Sequence, residues 1–493
     1  MKSVQLNQLT KLFYFVLLSV LTLSGCKQPQ EAERPNILFC IADDWGWPHA
    51  PAYGDSVIKT PTFDRLVSEG VVFENAFVAS PSCTPSRNSI LTGQHIWRLE
   101  EGANLWSTLD RKFPVFPLLL QKAGYFAGSW RKSWGPGDLS AGGYDSIHPT
   151  GKVYTKGFKA FLQDRPDGSP FCFWLGASDP HRPYKKNSGR ESGINPDKIS
   201  VPPFLPNVEE VRNDFADYYY EVQRFDADVA EAIRLLDSIG ELENTIIVMT
   251  GDNGAPFPRC KANLYDMGVH VPLAISWGEK TIPHVSSQPV TLVDLAPTFL
   301  ELAGVEVPEQ MTGKSLKTVL LQQKDNNNDE SFVVYGRERH TPAQAAPSMG
   351  GYPGRAIRTK EYLYILNFFP DRWPAGAPDG ATHPMNNFAD CDNGPTKSFL
   401  LENYYHPKYR IFYDLCFAKR PQEELYDVAA DPYQVHNLAV DAKFQNIRDS
   451  LASLLMDELR RTGDPRILKN GIEFDKYPYR AGYKLNVTEH SKR

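Results

Sequence analysis

The sequence predicts an α/β protein: a mostly parallel sheet flanked by helices, followed by a smaller C-terminal α+β subdomain. Three observations predict it. First, apolar runs suited to buried strands end in polar clusters, PNILFCIADD at 35–44, PFCFWLGASDPH at 170–181 and NTIIVMTGDNG at 244–254. Second, helical patterns lie between these runs, the alternation expected of a parallel sheet with crossover helices. Third, a polar low-complexity stretch, QQKDNNNDE at 322–330, precedes a region of short aromatic and β-branched runs. The 493 residues suit one large domain plus a smaller one, and 41% hydrophobic residues can fill a sizeable core.

At the N-terminus, Lys2 and Lys11 precede the apolar run LFYFVLLSVLTL at 12–23. It is too short to span a bilayer and suits a secretion signal. LSGC, ending at Cys26, resembles a bacterial lipoprotein box. Residues 1–25 are therefore expected to be a lipoprotein signal peptide and 26–34 a tether, with a lipid anchor on Cys26. An exported bacterial lipoprotein follows, on the periplasmic or cell-surface face of a membrane. The catalytic domain is expected over 35–321 and the C-terminal subdomain over 331–493.

After the first strand, FDRLVSEG, which follows Pro61, reads as a helix. PSCTPSRNSILTG at 81–93 reads as a short helix, with Thr84 as N-cap, Pro85 in the first turn and Gly93 just past the end. Cys83 then sits at a helix mouth, where backbone N–H groups favour an anion. Arg87 lies about one turn in, and its planar fork suits a tetrahedral oxyanion. Residues 218–240 repeat apolar positions at helical spacing, and VTLVDLAPTFLELAG at 290–304 reads as one helix closed by Gly304. Beyond the polar linker, SFVVYG and EYLYILNF read as strands.

A net charge of −6 argues against a nucleic-acid partner. The seven cysteines form no CxxC pair and no zinc-finger spacing. Apart from Cys26 and Cys83 an odd number remains (Cys40, Cys172, Cys260, Cys391 and Cys416), so pairing among these leaves at least one free unless chains are cross-linked. Most read as packing residues. Asp43, Asp44, Asp252 and Asn253 all end predicted strands and all offer oxygen. Such a set favours a hard cation, Ca²⁺ or Mg²⁺, over zinc. Arg87, Lys132 and Lys261 can supply the positive charge that an anionic substrate then needs.

Cys83-Thr84-Pro85-Ser86-Arg87, with Leu91-Thr92-Gly93 beyond, resembles the signature of the type I sulfatases. Further segments carry the same resemblance across roughly residues 35 to 440: PNILFCIADDWG, TGDNG, KANLYDMGVHVPL, DPHRPY, GKSL and ELYDVAADPYQVHNLA. ADDWGWPHAPAYGD and DPHRPY look closest to the branch containing heparan N-sulfatase and bacterial polysaccharide sulfatases. The resemblance implies an alkaline-phosphatase-like fold, one Ca²⁺ (Mg²⁺ being the alternative) and hydrolysis of a sulfated saccharide. It implies that Cys83 is oxidised to formylglycine during synthesis, by a formylglycine-generating or anaerobic sulfatase-maturating enzyme. It assigns Asp43, Asp44, Cys83, Asp252 and Asn253 to the metal, and Cys83, Arg87, Lys132, His181 and Lys261 to catalysis.

The mechanism it implies uses a hydrated aldehyde as nucleophile, with His181 or Lys261 protonating the departing alcohol. The second hydroxyl then allows sulfate to leave and the aldehyde to return. Two departures stand out: Trp134 occupies a position where the family commonly has histidine, with Arg131 in place of a glycine, and His270 stands where arginine is common. The segment YGRERHT at 335–341 offers Arg337 and His340 as candidate substrate contacts. His49, His95, His383 and His406 suit a cleft or the surface equally. The nine tryptophans suit either sugar stacking or the core. Two rival readings remain. One is a phosphatase or phosphodiesterase of the same superfold, which would normally use Ser or Thr and zinc-binding histidines. The other is a non-catalytic glycan-binding lipoprotein.

Overall fold

A computed structural model describes residues 34–322, 331–344, 348–379, 387–469 and 471–481. Residues 1–33, with the expected signal segment and Cys26, His383 and the linker residues 323–330 lie outside the described residues. The unit that begins at Pro35 contains the three described sheets. Its first part carries β1 (Asn36–Ala42), β2 (Val71–Phe73), β3 (Ala76–Phe77), β4 (Phe126–Arg131), β5 (Lys152–Tyr154), β6 (Phe171–Gly176), β7 (Thr245–Gly251), β8 (Leu273–Ser276), β9 (His284–Ser286) and β10 (Val290–Thr291).

Eight of these strands form one sheet in the order β5-β4-β6-β1-β7-β8-β2-β9, while β3 and β10 pair separately. From β5 to β7 every pairing is parallel. β8 runs antiparallel to both β7 and β2. The chain between β7 and β8 forms only a four-residue helix, Asp266–Val269, instead of a long crossover helix. It stays at the end of the sheet where the site is built.

The central strands are apolar runs because they are buried on both faces. The period of two sorts their side chains. Ile37, Phe39 and Ile41 face one core with Trp174, Phe116 and Phe299. Leu38, Cys40 and Ala42 face another, with Phe215, Val222 and Phe225 of the long helix Glu209–Ser238. Burial of each larger side chain stabilises the fold by about 1.5–3 kcal/mol. That helix begins well before residue 218, at Glu209 and Glu210, whose carboxylates complement its N-terminal dipole. Pro61 opens Pro61–Glu69 as expected. The 290–304 segment is not one helix. Thr291 and Asp294 form a capping box, and the α-helix proper runs only over Leu295–Leu302.

The C-terminal subdomain is a four-stranded antiparallel sheet of β11 (Phe332–Arg337), β12 (Gly354–Thr359), β13 (Tyr362–Asn367) and β14 (Glu423–Asp427), in that order. Leu451, Leu455 and Leu459 of the Gln445–Arg461 helix cover it through Val334, Ile357, Tyr364 and Leu425. All six described cysteines are buried and free of disulfides. Among the described residues, no helix is long and apolar enough to cross a membrane.

Candidate active site

Four adjacent parallel strands deliver the site. β4, β6, β1 and β7 lie side by side and run the same way, so the residues just after them meet at one end. β4 is followed by Lys132, β6 by the loop carrying His181, β1 by Asp43 and Asp44, and β7 by Asp252 and Asn253. Ligands usually bind at this edge of a parallel sheet. Asp44 takes a left-handed backbone, φ 76°, and its N–H donates to Asp252 Oδ1 at 2.9 Å. Asp is among the few residue types that tolerate that conformation.

Cys83 is the first residue of the helix Cys83–Thr92. The N-cap is Ser82 rather than Thr84, which lies inside the helix and donates its hydroxyl to the Pro136 carbonyl. Ser82 makes no side-chain cap bond, because its hydroxyl is joined to His340 Nδ1 at 2.8 Å. Gly93 ends the helix with φ 62°, as expected. Every residue of this helix is buried, which explains why it has no amphipathic stripe.

Around Cys83 the charges alternate. Its Sγ lies 3.4 Å from Asp43 Oδ1 and 3.8 Å from Asp44 Oδ1. Lys132 Nζ binds both Asp43 oxygens, at 2.6 and 2.5 Å. Lys261 Nζ lies 2.8 Å from Asp44 Oδ2 and 3.2 Å from Asp392 Oδ2. Arg87 Nε donates to Asp252 Oδ2 at 2.8 Å, and its Nη1 donates to the Lys132 carbonyl. His181 Nδ1 meets the Arg182 carbonyl at 2.6 Å, and its Nε2 is 3.9 Å from Asp44 Oδ2.

Burial alone would raise the Asp43 carboxyl, but Lys132, His181, Arg87 and Lys261 hold it far below the carboxylate range. Burial and the neighbouring Asp43 push Asp252 up to about 6, against Arg87 and Lys132. Burial alone would lower Lys132 and Lys261. Asp43 outweighs it for the first, and Asp392 with Asp44 for the second, so both ammonium groups are raised. Burial drives the Cys83 thiol well above its ordinary value.

The residues present fit a hard cation. Asp43, Asp44, Asp252 and Cys83 each offer a ligand atom, all within 4.8 Å of one another. Asn253 Nδ2 donates to Asp44 Oδ1 at 2.6 Å, while its buried Oδ1 has no hydrogen-bond partner. That leaves an acceptor oxygen for a metal. Arg87 Nη2 is likewise buried without a hydrogen bond, a donor suited to an anion. Asp43, Cys83, Lys132, His181, Lys261 and His340 open onto one cleft of about 720 Å³.

Sequence reasoning missed other parts of that cleft: Asp392 and Asn393, Thr341, and the aromatic residues Trp106 and Tyr479. These sit in loops without periodicity. The only cue for Asp392 was a polar turn in FADCDNG. Trp134 also lines the cleft, and its indole N–H donates to Asn88 Oδ1 at 2.7 Å. His270 is a packing residue, stacked on Trp47 with ring centroids 4.7 Å apart. His49 is buried against Tyr218, His95 stacks on Trp97, and His406 is exposed.

Arg337 departs from expectation. It does not line the cleft. Its guanidinium is buried, donating to the Pro374 carbonyl and to Asp390 Oδ2, both at 2.9 Å. Asp390 in turn accepts from the N–H and hydroxyl of Thr341. Arg337 thus braces the cleft wall from behind. Arg337→Ala would leave Asp390 buried without its cation, an expected loss of about 3–5 kcal/mol of stability. Urea unfolding of the variant measures it, and a loss under 1 kcal/mol would contradict this role.

A parallel α/β sheet with carboxylates, cations and a helix N-terminus gathered at one edge defines an enzyme that handles anionic esters. Residues 35–305 match the Sulfatase family, and residues 260–374 match the family described as N-sulphoglucosamine sulphohydrolase, C-terminal. The chain belongs to the sulfatase family and is a sulfuric ester hydrolase. It is 30% identical to N-sulphoglucosamine sulphohydrolase from Homo sapiens, covering 88% of this chain and 91% of that one. It is 28% identical to an ulvan-active sulfatase from Formosa agariphila, covering 88% and 76%. N-acetylglucosamine-6-O-sulfatase from Bacteroides thetaiotaomicron is 27% identical, with 75% and 86% covered. A solved structure in complex with its substrate D-glucosamine-2-N,6-O-disulfate shares the fold, with TM-score 0.61 and 22% identity over 88% of this chain and 99% of that one.

Proposed function

We propose that this sulfatase removes sulfate from a saccharide, with Cys83 converted to formylglycine and one Ca²⁺ held by Asp43, Asp44, Asp252 and Asn253. The observation that carries the reading is the position of Cys83, 3.4 Å from the Asp43 carboxylate in a cleft lined by Lys132 and Lys261, with Arg87 buried behind on Asp252. The saccharide is supported by the names of the relatives, each of which specifies a sugar or polysaccharide. The signal-like run and LSGC support an exported bacterial lipoprotein anchored through Cys26 on a periplasmic or cell-surface face. The CTPSR core supports maturation by a formylglycine-generating or anaerobic sulfatase-maturating enzyme.

When present, the hydrated aldehyde and the ion would supply a nucleophilic oxygen of lowered pKa. The remaining work falls to side chains already in place. Lys132, Lys261 and Arg87 neutralise the carboxylates and draw the sulfate in. His181 donates its Nδ1–H to the Arg182 carbonyl, so in the imidazolium form its Nε2–H is the proton available to the departing sugar oxygen, and the neutral ring that results keeps its Nδ1 bond. Trp134 has spent its N–H on Asn88 and cannot accept a proton. Proton traffic therefore rests on His181 and the lysines.

Release of inorganic sulfate from sulfated saccharides by the formylglycine-bearing protein tests the reading. A phosphonate monoester hydrolase from Silicibacter pomeroyi shares the fold at TM-score 0.62 and 17% identity, so phosphate and phosphonate esters belong in the same assay. Cleavage of those alone would select the rival. Calcium should also stabilise the fold, by about 2.7 kcal/mol at a hundred times its Kd. A thermal melt with and without calcium reads this, and Asp252→Ala should lose the shift. No shift in the wild type would rule out the ion site.

A further inference from the structure

The cleft has a second, uncharged wall. Leu105, Trp106, Trp134, Pro136 and Tyr479 line it, opposite in character to the charged set around Cys83. Three chain segments far apart in sequence build it, and main-chain bonds clasp them together. Ser107 bridges Gly137, and Asp138 N donates to Ser107 O at 2.9 Å. Arg480 N donates to Trp106 O at 2.7 Å. The Arg339 guanidinium donates to the carbonyls of Tyr477 and Pro478, both at 2.8 Å, and so fixes the backbone beside Tyr479. Close packing makes the clasp tight: a Cβ on Gly137 would come within 2.2 Å of Ser107 O.

Trp106 itself is strained. Its φ is 52°, in the left-handed region that bulky residues rarely enter. Such strain costs about 1–3 kcal/mol and persists where surroundings impose it, often at ligand sites. Here it holds a half-buried indole on the cleft wall, with its ring centroid 6.4 Å from that of Tyr479 at an interplanar angle of 62°. Both rings are held before any ligand arrives. Each has few torsions left to freeze, so little entropy is lost on binding.

We propose that Trp106 and Tyr479 form a subsite for a second pyranose ring, the one attached to the sulfated sugar. This rests on the saccharide reading above. A pyranose has one face of polarised C–H bonds, which matches the negative face of an aromatic ring, while its hydroxyls point sideways to water and polar neighbours. The charged half of the cleft holds the sulfated residue. The aromatic half contributes nothing to sulfate chemistry and suits an uncharged ring face. The wall therefore selects for chain length rather than for the sulfate.

The test compares a sulfated monosaccharide with the disaccharide that carries the same sulfated residue. Trp106→Gly removes the indole and suits the backbone, since glycine adopts φ 52° without strain. We expect kcat/KM on the disaccharide to fall about 3–10-fold through KM, the size of an aromatic stacking contact. The loss should be confined to the disaccharide and largely restored in Trp106→Phe. Tyr479→Ala should behave like Trp106→Gly. Equal losses on both substrates, or no loss on either, would overturn the subsite. If the wild type released sulfate from neither sugar, the saccharide sulfatase reading would fail separately. Saturation-transfer NMR with the unsulfated disaccharide would then decide the subsite: a signal lost in Trp106→Gly supports it, and no signal in the wild type overturns it.

Discussion

Cys83→Ser should leave a folded protein that still binds its sulfated substrate and hardly turns it over. The exchange of sulfur for oxygen is nearly isosteric, and serine suits the first turn of a helix. Cys83 is only 1% exposed, but its neighbours are polar, so a hydroxyl there finds Asp43 and Asp44 within reach. The loss is therefore chemical. A serine has one hydroxyl. Once it carried sulfate, no second hydroxyl on the same carbon could expel it, and the ester would wait for water in a site not built to activate one. Removing the nucleophile of a hydrolase costs on the order of 10⁶-fold in kcat. Calorimetry with the sulfated saccharide should find binding retained, and mass spectrometry of the peptide around Cys83 should find the aldehyde in the active wild type alone. Full activity from protein that carries only the thiol would refute the assignment.

His181→Ala should lose activity in proportion to how poor the leaving group is. His181 is the cleft histidine nearest the carboxylates, and the 36% exposure of its side chain lets a substrate reach it. A sugar alcohol has a high pKa and needs a proton as it leaves, whereas a nitrophenol departs readily as an anion. Loss of a general acid typically costs about 10²–10⁴-fold. We expect that loss in kcat/KM with a sulfated sugar, and a much smaller one with an activated aryl sulfate. Formylglycine content must be matched between preparations. Equal losses on the two substrates would move His181 to sulfate binding, and Lys261, held between Asp44 and Asp392, would become the acid.

The parts of this architecture that were legible in the sequence share a cause. Strands buried on both faces have to be continuous apolar runs, so PNILFCIA and NTIIVMTG announced themselves, and the carboxylates after them marked the strand ends. The reversed direction of β8 left no such mark, because periodicity does not encode which way a strand runs. The capping of Cys83 was misread because Ser82 and Thr84 are both good cap residues. Tertiary contact with His340 and Pro136 decided between them. Arg337 sat in a promising segment but was claimed by Asp390, a partner far along the chain. Asp392, Trp106 and Tyr479 come from loops whose position only the folded chain defines.

The hydrogen bond from Asp44 to Asp252 joins residues 208 positions apart, and Lys261 reaches Asp44 across 217. Loops of that size make parallel pairing slow, because their ends must meet before any contact rewards it. The centre is consequently late in time as well as deep in space. Until β1 and β7 align, no pocket surrounds Cys83, and its helix is an open stretch of chain. On the proposed reading, an enzyme that converts Cys83 must reach it before this closure, so a variant that folds faster would be expected to emerge with more of its thiol unchanged.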